Sequence, residues 1–271
     1  ESSGPNGFAA VGDKMVFSAR NGAGLYHLWV TDGTEAGTHL VKDAAGSGGP
    51  STTTMRSISL GATALFTADD GTNGTELWVT DGTDAGTTLV KDINPGAAGS
   101  SPSNFVVMGT KAYFTANDDT NGYELWVSDG TSAGTSMVKD INEGAGGSYP
   151  DFMVVMGDHI YFHAYTDALG YELWKSDGTS SGTVLLQDLL TGAVGSYSSY
   201  MTNVNGTLYF NANDGTNGWE LWKSDGTAAG TVLVKDITSG ASSSLPAGLT
   251  AFGGALYFRA TDGTSGSEIW K

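Results

Sequence analysis

Short apolar runs and glycine-rich polar turns alternate along the whole chain, and residues 103–141 show the unit most clearly. Phe105–Met108 reads as a strand, Gly109-Thr110 as a two-residue turn, and Lys111–Ala116 as a second strand centred on Tyr113 and Phe114. A polar loop, Asn117–Gly122, precedes a third strand over Tyr123–Ser128. Asp129, Gly130 and Thr131 then open a tight connection to a fourth over Thr135–Ile141. Glycine-containing two-residue connections between apolar runs are hairpin signals. Side chains alternate across a strand, so Tyr113 and Phe114 point to opposite faces. Both faces are therefore apolar, as expected of a sheet covered on both sides. No segment keeps a helical period long enough for a helix.

The unit repeats. Glu76, Glu124, Glu172 and Glu220 each open a near-identical stretch, reading ELWKSDGTAAGTVLVKD in the last case, with a weaker copy from His27 and a short one from Glu268 to Lys271. The tryptophans Trp29, Trp78, Trp126, Trp174, Trp222 and Trp270 follow at spacings of 49, 48, 48, 48 and 48 residues. The second-strand phenylalanines, Phe17 to Phe258, keep the same rhythm. The extra residue of the first interval falls between Asp43 and Gly61. Four short antiparallel strands per repeat of this length predict a propeller blade. A parallel β-helix is the main competitor, but its coils are shorter and hairpins do not suit it. The expected fold is an all-β, six-bladed β-propeller forming one domain over 1–271. Its repeats run approximately 1–50, 51–101, 102–149, 150–197, 198–245 and 246–271. The sixth lacks its outer strand, which leaves an edge open to pairing. Continuation past Lys271, clipping there, or a strand donated by another subunit would each account for it.

Composition narrows the partners. The formal net charge of -17 repels phosphate backbones, which argues against nucleic acid and anionic membranes. The absence of cysteine removes disulfides, thiolate chemistry and cysteine-bound metals. No apolar run is long enough for a membrane-spanning helix, so no membrane insertion is expected. An acidic, cysteine-free chain rich in Gly, Ser and Thr leans towards a secreted or surface protein of bacteria.

The repeated residues resemble the ELWxxDGT tandem-repeat family, found in large secreted or surface proteins of bacteria. The resemblance covers nearly the whole chain, about five and a half units. It implies no particular activity. The expected architecture is also similar to that of propeller lectins, which bind one sugar per blade; this is an analogy of fold alone.

Each repeated residue type has a structural and a functional reading. The six in-register tryptophans bury on the order of 200 Å² each and read as core between blades. Trp219 falls outside the period, one position before the motif glutamate, where other repeats carry Tyr26, Thr75, Tyr123, Tyr171 and Ser267. A core position would not alternate between aromatic and small polar residues, so Tyr26, Tyr123, Tyr171 and Trp219 are candidate stacking platforms. The loop between the second and third strands carries an acid and ends in Glu: Asp70 and Glu76, Asp118 and Glu124, Asp214 and Glu220, Asp262 and Glu268. Such oxygen ligands suit calcium, although the same residues build Asx turns. The first repeat, with Asn21 and His27, departs from the pattern. Asp129 is expected to cap the DGTxxGT turn, with Gly130 and Gly134 supplying unusual backbone angles.

No catalytic constellation emerges. The four histidines fall at four different repeat positions. His159 and His163 share a strand face but lie about 13 Å apart by strand rise, too far to share a metal. The expected function is a non-catalytic, extracellular binding module recognising carbohydrate through repeated shallow sites that combine by multivalency. The alternative is a structural or adhesive protein that self-associates through the sixth blade.

Overall fold

The computed structural model describes residues 2–21, 25–42 and 55–271; of Lys42 only the backbone is described. The segment between Asp43 and Gly61 that takes up the extra residue lies mostly outside them. Every regular element among the described residues is a strand, and the strands form six small antiparallel sheets. The chain is thus an all-β protein of the six-bladed propeller class.

Blade 1 comprises Asn6–Val11, Lys14–Arg20, Tyr26–Thr31 and His39–Lys42, and blade 2 Ser57–Leu60, Thr63–Asp69, Thr75–Thr80 and Thr88–Lys91. Blade 3 comprises Ser103–Met108, Lys111–Asn117, Tyr123–Ser128 and Ser136–Lys139. Blade 4 holds Asp151–Met156, His159–Thr166, Gly170–Ser176 and Val184–Gln187, and blade 5 Ser199–Val204, Thr207–Asn213, Trp219–Ser224 and Val232–Lys235. Blade 6 has three strands, Ala247–Phe252, Ala255–Thr261 and Ser267–Trp270. In each sheet the strands neighbour one another in chain order. The predicted two-residue turns are in place: Val11 pairs with Lys14 and Met108 with Lys111 across them. The observed fourth strand of blade 3 is shorter than the apolar run, because Ile141 leaves the ladder to be buried in the crossover.

Two compact units divide the chain. One comprises residues 1–137 with 144–146, the other residues 138–143 with 147–271. Within each, the first strands of successive blades lie side by side. The core of the first unit is built from interblade layers. Leu65, Leu77, Val90 and Ile93 of blade 2 meet Ala112, Phe114 and Trp126 of blade 3. The second unit repeats this with Met156, Leu173 and Leu186 of blade 4 against Leu208, Phe210 and Trp222 of blade 5. Tyr113 and Phe114 are both buried, so both sheet faces are covered as their alternation predicts. Trp78, Trp126, Trp174 and Trp222 are buried, whereas Trp29 and Trp270 are half-buried.

The DGTxxGT turn is a closed hydrogen-bond network. Asp129 Oδ1 accepts the Thr131 amide at 2.9 Å and its hydroxyl at 2.7 Å, and Thr131 Oγ1 accepts the Gly134 amide at 3.0 Å. Gly130 has φ 89°, as expected of it. Gly134 is required for a different reason from the one its sequence suggests: a Cβ there would sit 2.1 Å from Asp129 Oδ1. It is space for the capping carboxylate that this glycine supplies.

Candidate aromatic binding site

In the second unit a group of aromatic side chains gathers at one end of blades 4 and 5. The first strands of blades 4 and 5 begin there, the second strands end there and the third strands begin there, so Asp151 pairs with His163 and Tyr165 with Tyr171. Near their starts the first strands carry a register irregularity, and Phe152 and Tyr200 occupy it at φ 53° in both cases. A left-handed residue in a bulge re-aims its side chain, and these two rings are turned out to solvent. Tyr149 and Tyr197, which end the crossovers into blades 4 and 5, are also at positive φ and exposed.

The rings form a continuous array. Tyr200 lies 5.8 Å from Phe152, whose ring meets His163 edge-on at 5.1 Å. His163 lies 4.9 Å from Tyr171, and Tyr171 is 5.2 Å from Tyr165 and 5.3 Å from Tyr197. Tyr197 in turn approaches Trp219 at 6.2 Å. These centroid distances fall in the range where aromatic pairs attract. Tyr200 is 46% exposed, Tyr197 43% and Phe152 36%, so these rings are partly open to solvent, while Tyr171 and Trp219 are half-buried.

The array has polar contacts as well as aromatic ones. The His163 ring donates from Nδ1 to the Ser198 carbonyl at 3.0 Å. Burial holds its pKa below 6.5, against the pull of nearby Asp151 and of that hydrogen bond. With Nδ1 donating, the neutral form of the ring carries its acceptor lone pair on Nε2. Burial is also the main reason the Tyr171 phenol is pushed above its usual range, with Tyr149 and Tyr197 adding to it.

A buried glutamate anchors the crossovers that carry these rings. Glu172 accepts the amides of Leu189, Leu190 and Ser196 at 3.0, 3.2 and 2.8 Å, and the Ser196 hydroxyl at 2.7 Å. The same grip joins Glu220 to Ser244 and Glu76 to Ser100. Tyr197, directly after Ser196, is then fixed by its amide on the Tyr171 carbonyl at 3.0 Å. The period-48 serines Ser100, Ser148, Ser196 and Ser244 are the sequence signal for this anchor.

Of the four expected platforms, Tyr171 and Trp219 come together in the array, bridged by Tyr197. Tyr26 and Tyr123 belong to the first unit. Tyr26 is half-buried beneath the Arg20 guanidinium, 4.8 Å from its ring centre, and Tyr123 is half-buried in blade 3. The positions matching Tyr197 and Tyr200 in blade 3 are Ser101 and Asn104. Sequence reasoning missed Tyr149, Phe152, Tyr165, Tyr197 and Tyr200. For Tyr149, Phe152, Tyr197 and Tyr200 the signal is a departure from the repeat: aromatic residues stand in two consecutive units where blade 3 has Ser101 and Asn104.

The acidic loops hold their carboxylates separately. Asp70 Oδ1 accepts the amides of Thr72 and Asn73, both at 2.8 Å, and Oδ2 accepts the Asn73 side-chain amide. Asp118 and Asp214 repeat this arrangement. Burial opposes ionisation at all three, but the summed hydrogen bonds outweigh it and lower the pKa. Asp262 accepts the amides of Ser265 and Thr264, which bring it to about 2. Glu76, Glu172 and Glu220 face the crossovers, Glu124 is also fully buried, and Glu268 is exposed. The partners of the loop aspartates and of these crossover-facing glutamates do not overlap. Among the described residues no group of three or more His, Asp or Glu side chains is placed to hold a metal ion.

No family model matches the sequence, and no curated protein does. Solved structures do match. A computationally designed protein is 16% identical with a TM-score of 0.50, over 98% of this chain and 70% of that one. A puromycin-hydrolysing peptidase of Mycobacterium tuberculosis is 12% identical with a TM-score of 0.55, over 95% of this chain and 43% of that one. Prolyl oligopeptidase B from Galerina marginata is 11% identical with a TM-score of 0.55, over 84% of this chain and 33% of that one. The chain thus spans less than half the length of either peptidase. What these likenesses establish is the fold, a bladed all-β propeller.

Proposed function

We propose that this protein is a non-catalytic carbohydrate-binding module whose binding surface is the aromatic array of its second unit. The observation that carries the reading is the run of rings from Tyr200 through Phe152, His163, Tyr171 and Tyr197 to Trp219, of which Phe152, Tyr197 and Tyr200 are exposed. Sugar rings present apolar C–H faces that stack on aromatic faces, and their hydroxyls seek acceptors and donors at the edges. Tyrosine and tryptophan supply that contact area with little conformational entropy to lose. A patch of exposed rings rimmed by polar groups is also the general mark of an interaction surface. The net charge of -17 favours neutral glycans over polyanions. An extracellular setting fits the same reading, as the acidic, cysteine-free composition does.

The reading concentrates binding on one face instead of distributing one shallow site to every blade. Calcium has no part in the contact surface, because the loop carboxylates serve their own turns. A glycan array probed in EDTA and again in calcium tests this. Binding of a neutral glycan class in both buffers, weakened at least ~tenfold (about 1.4 kcal/mol) by Tyr197→Ala, is expected. A blank array, or binding seen only with calcium, would sink it.

A further inference from the structure

Blades 4 and 5 carry aromatic rings at the same three places. Tyr149 and Tyr197 end the crossovers, Phe152 and Tyr200 sit in the first-strand irregularities, and Tyr171 and Trp219 stand at the start of the third strands. The backbone is held alike in the two sets. Its φ is 50° at Tyr149 and 49° at Tyr197, and 53° at both Phe152 and Tyr200. Equal backbone angles at equivalent strand positions aim equivalent side chains alike, so the second set repeats the first one blade further on. The sets also touch. Phe152 lies 5.8 Å from its counterpart Tyr200, and Tyr171 of the first set lies 5.3 Å from Tyr197 of the second.

The local backbone does not ask for these rings. A left-handed φ suits Gly or Asn and is an outlier for a bulky side chain. Blade 3 holds Ser101 and Asn104 at φ 50° and 57° in the matching positions, and blade 6 holds Leu245 and Gly248 at 52° and 63°. The same backbone is therefore built in both blades without an aromatic residue. Tyr149, Phe152, Tyr197 and Tyr200 are all exposed, so their rings do not repay the unfavourable angle by filling a core. Strain retained at exposed side chains is a mark of a binding surface.

We infer that this surface takes an internal stretch of one linear, neutral polysaccharide, with sugar units of the same chain stacked on the two ring sets at once. The inference rests on the carbohydrate reading above and adds the form of the ligand to it. A ligand that repeats along its length matches a surface that repeats from one blade to the next, whereas a lone terminal sugar uses only one set. Once one unit is stacked, the units joined to it meet the second set at high effective concentration, so the two contacts combine. The charges beside the rings are negative: Asp151 pairs with His163 across the strands, and Asp167 accepts a hydrogen bond from the Tyr165 hydroxyl. A polysaccharide bearing carboxylate or sulfate groups is disfavoured for that reason.

The test is a calorimetric titration of the chain with linear glucan, xylan and mannan fragments, each from the monosaccharide to the hexasaccharide. For the class that binds, affinity is expected to rise at least ~tenfold from the monosaccharide to the hexasaccharide, with one hexasaccharide per chain. Phe152→Asn and Tyr200→Asn each take one ring from one set, and Asn104 shows that asparagine holds this backbone angle. Each variant is expected to weaken the hexasaccharide severalfold, to a similar extent, with the circular dichroism unchanged. A monosaccharide that binds as tightly as the hexasaccharide, or a loss confined to one of the two variants, would overturn the inference and leave the carbohydrate reading standing. Absence of binding at every length would overturn it too, with the glycan array judging the wider reading on its own.

Discussion

At the residue scale, the repeated motif is explained by the needs of its turns. Gly134 leaves room for the Asp129 carboxylate, so Gly134→Ala forces that carboxylate away from Thr131 or shifts the turn. A loss of about 1–3 kcal/mol is expected, read from the urea midpoint; an unchanged midpoint would refute the packing argument. His163 gives a pH signature. Its folded pKa lies below the unfolded 6.5, so the unfolded chain binds the proton more readily. The stability it contributes is present above pH 6.5 and is lost as pH falls through its lowered folded pKa. An NMR titration should place the imidazole midpoint below 6.5, and a midpoint at or above that value would contradict the buried, neutral ring.

At the element scale, the grip of a third-strand glutamate on the following crossover sets where the exposed rings stand. Glu172→Ala would leave three amides and a hydroxyl without their acceptor. The expected cost is about 3 kcal/mol or more, with loss of hydrogen-exchange protection at Ser196; retained protection would show that the crossover is held by something else. Burial raises the Glu172 pKa, and the hydrogen bonds from Ser196, Leu189 and Leu190 only partly offset it. Its stabilising contribution is therefore fullest below the unfolded pKa and declines as pH rises through the folded one. Glu172→Gln removes that decline. The position after the motif tryptophan is also an element-scale matter. It is valine in the first three repeats and lysine in the last three, which suggests a rim, yet Val30 and Val127 are buried. Lys175 shows how a charge is accommodated, by donating to the Gly226 carbonyl of the next blade's turn at 2.9 Å. Lys91 and Lys139, which precede aspartate in their fourth strands, behave alike, donating to the backbone carbonyls of Thr135 and Thr183.

At the scale of the whole molecule, the sequence displays the scaffold far better than the surface. Period, strand number and turn positions follow from Trp78, Phe66 and Gly109 and their equivalents, because every blade must solve the same packing problem. The candidate site follows from what is not repeated. Phe152, Tyr197 and Tyr200 occupy positions that are polar in blade 3, and only the fold shows that crossover, first strand and third strand meet at one end. Trp219 is legible because it breaks the rule in a visible place; its ring partner Tyr197 lies 22 residues away, on the crossover into blade 5. The acidic loops are ambiguous in the sequence for the converse reason, since ligand-like carboxylates and turn-capping carboxylates are the same residue types.

The central claim is that binding resides on this one aromatic face. The most direct measurement compares glycan affinity, by titration calorimetry, for the wild type, for Tyr197→Ala with Tyr200→Ala, and for Tyr26→Ala with Tyr123→Ala. The account predicts that the first pair of changes abolishes measurable binding and the second leaves affinity and stoichiometry unchanged. Equal losses in the two double variants, or a stoichiometry of several sugars per chain, would contradict it and return the sites to the individual blades.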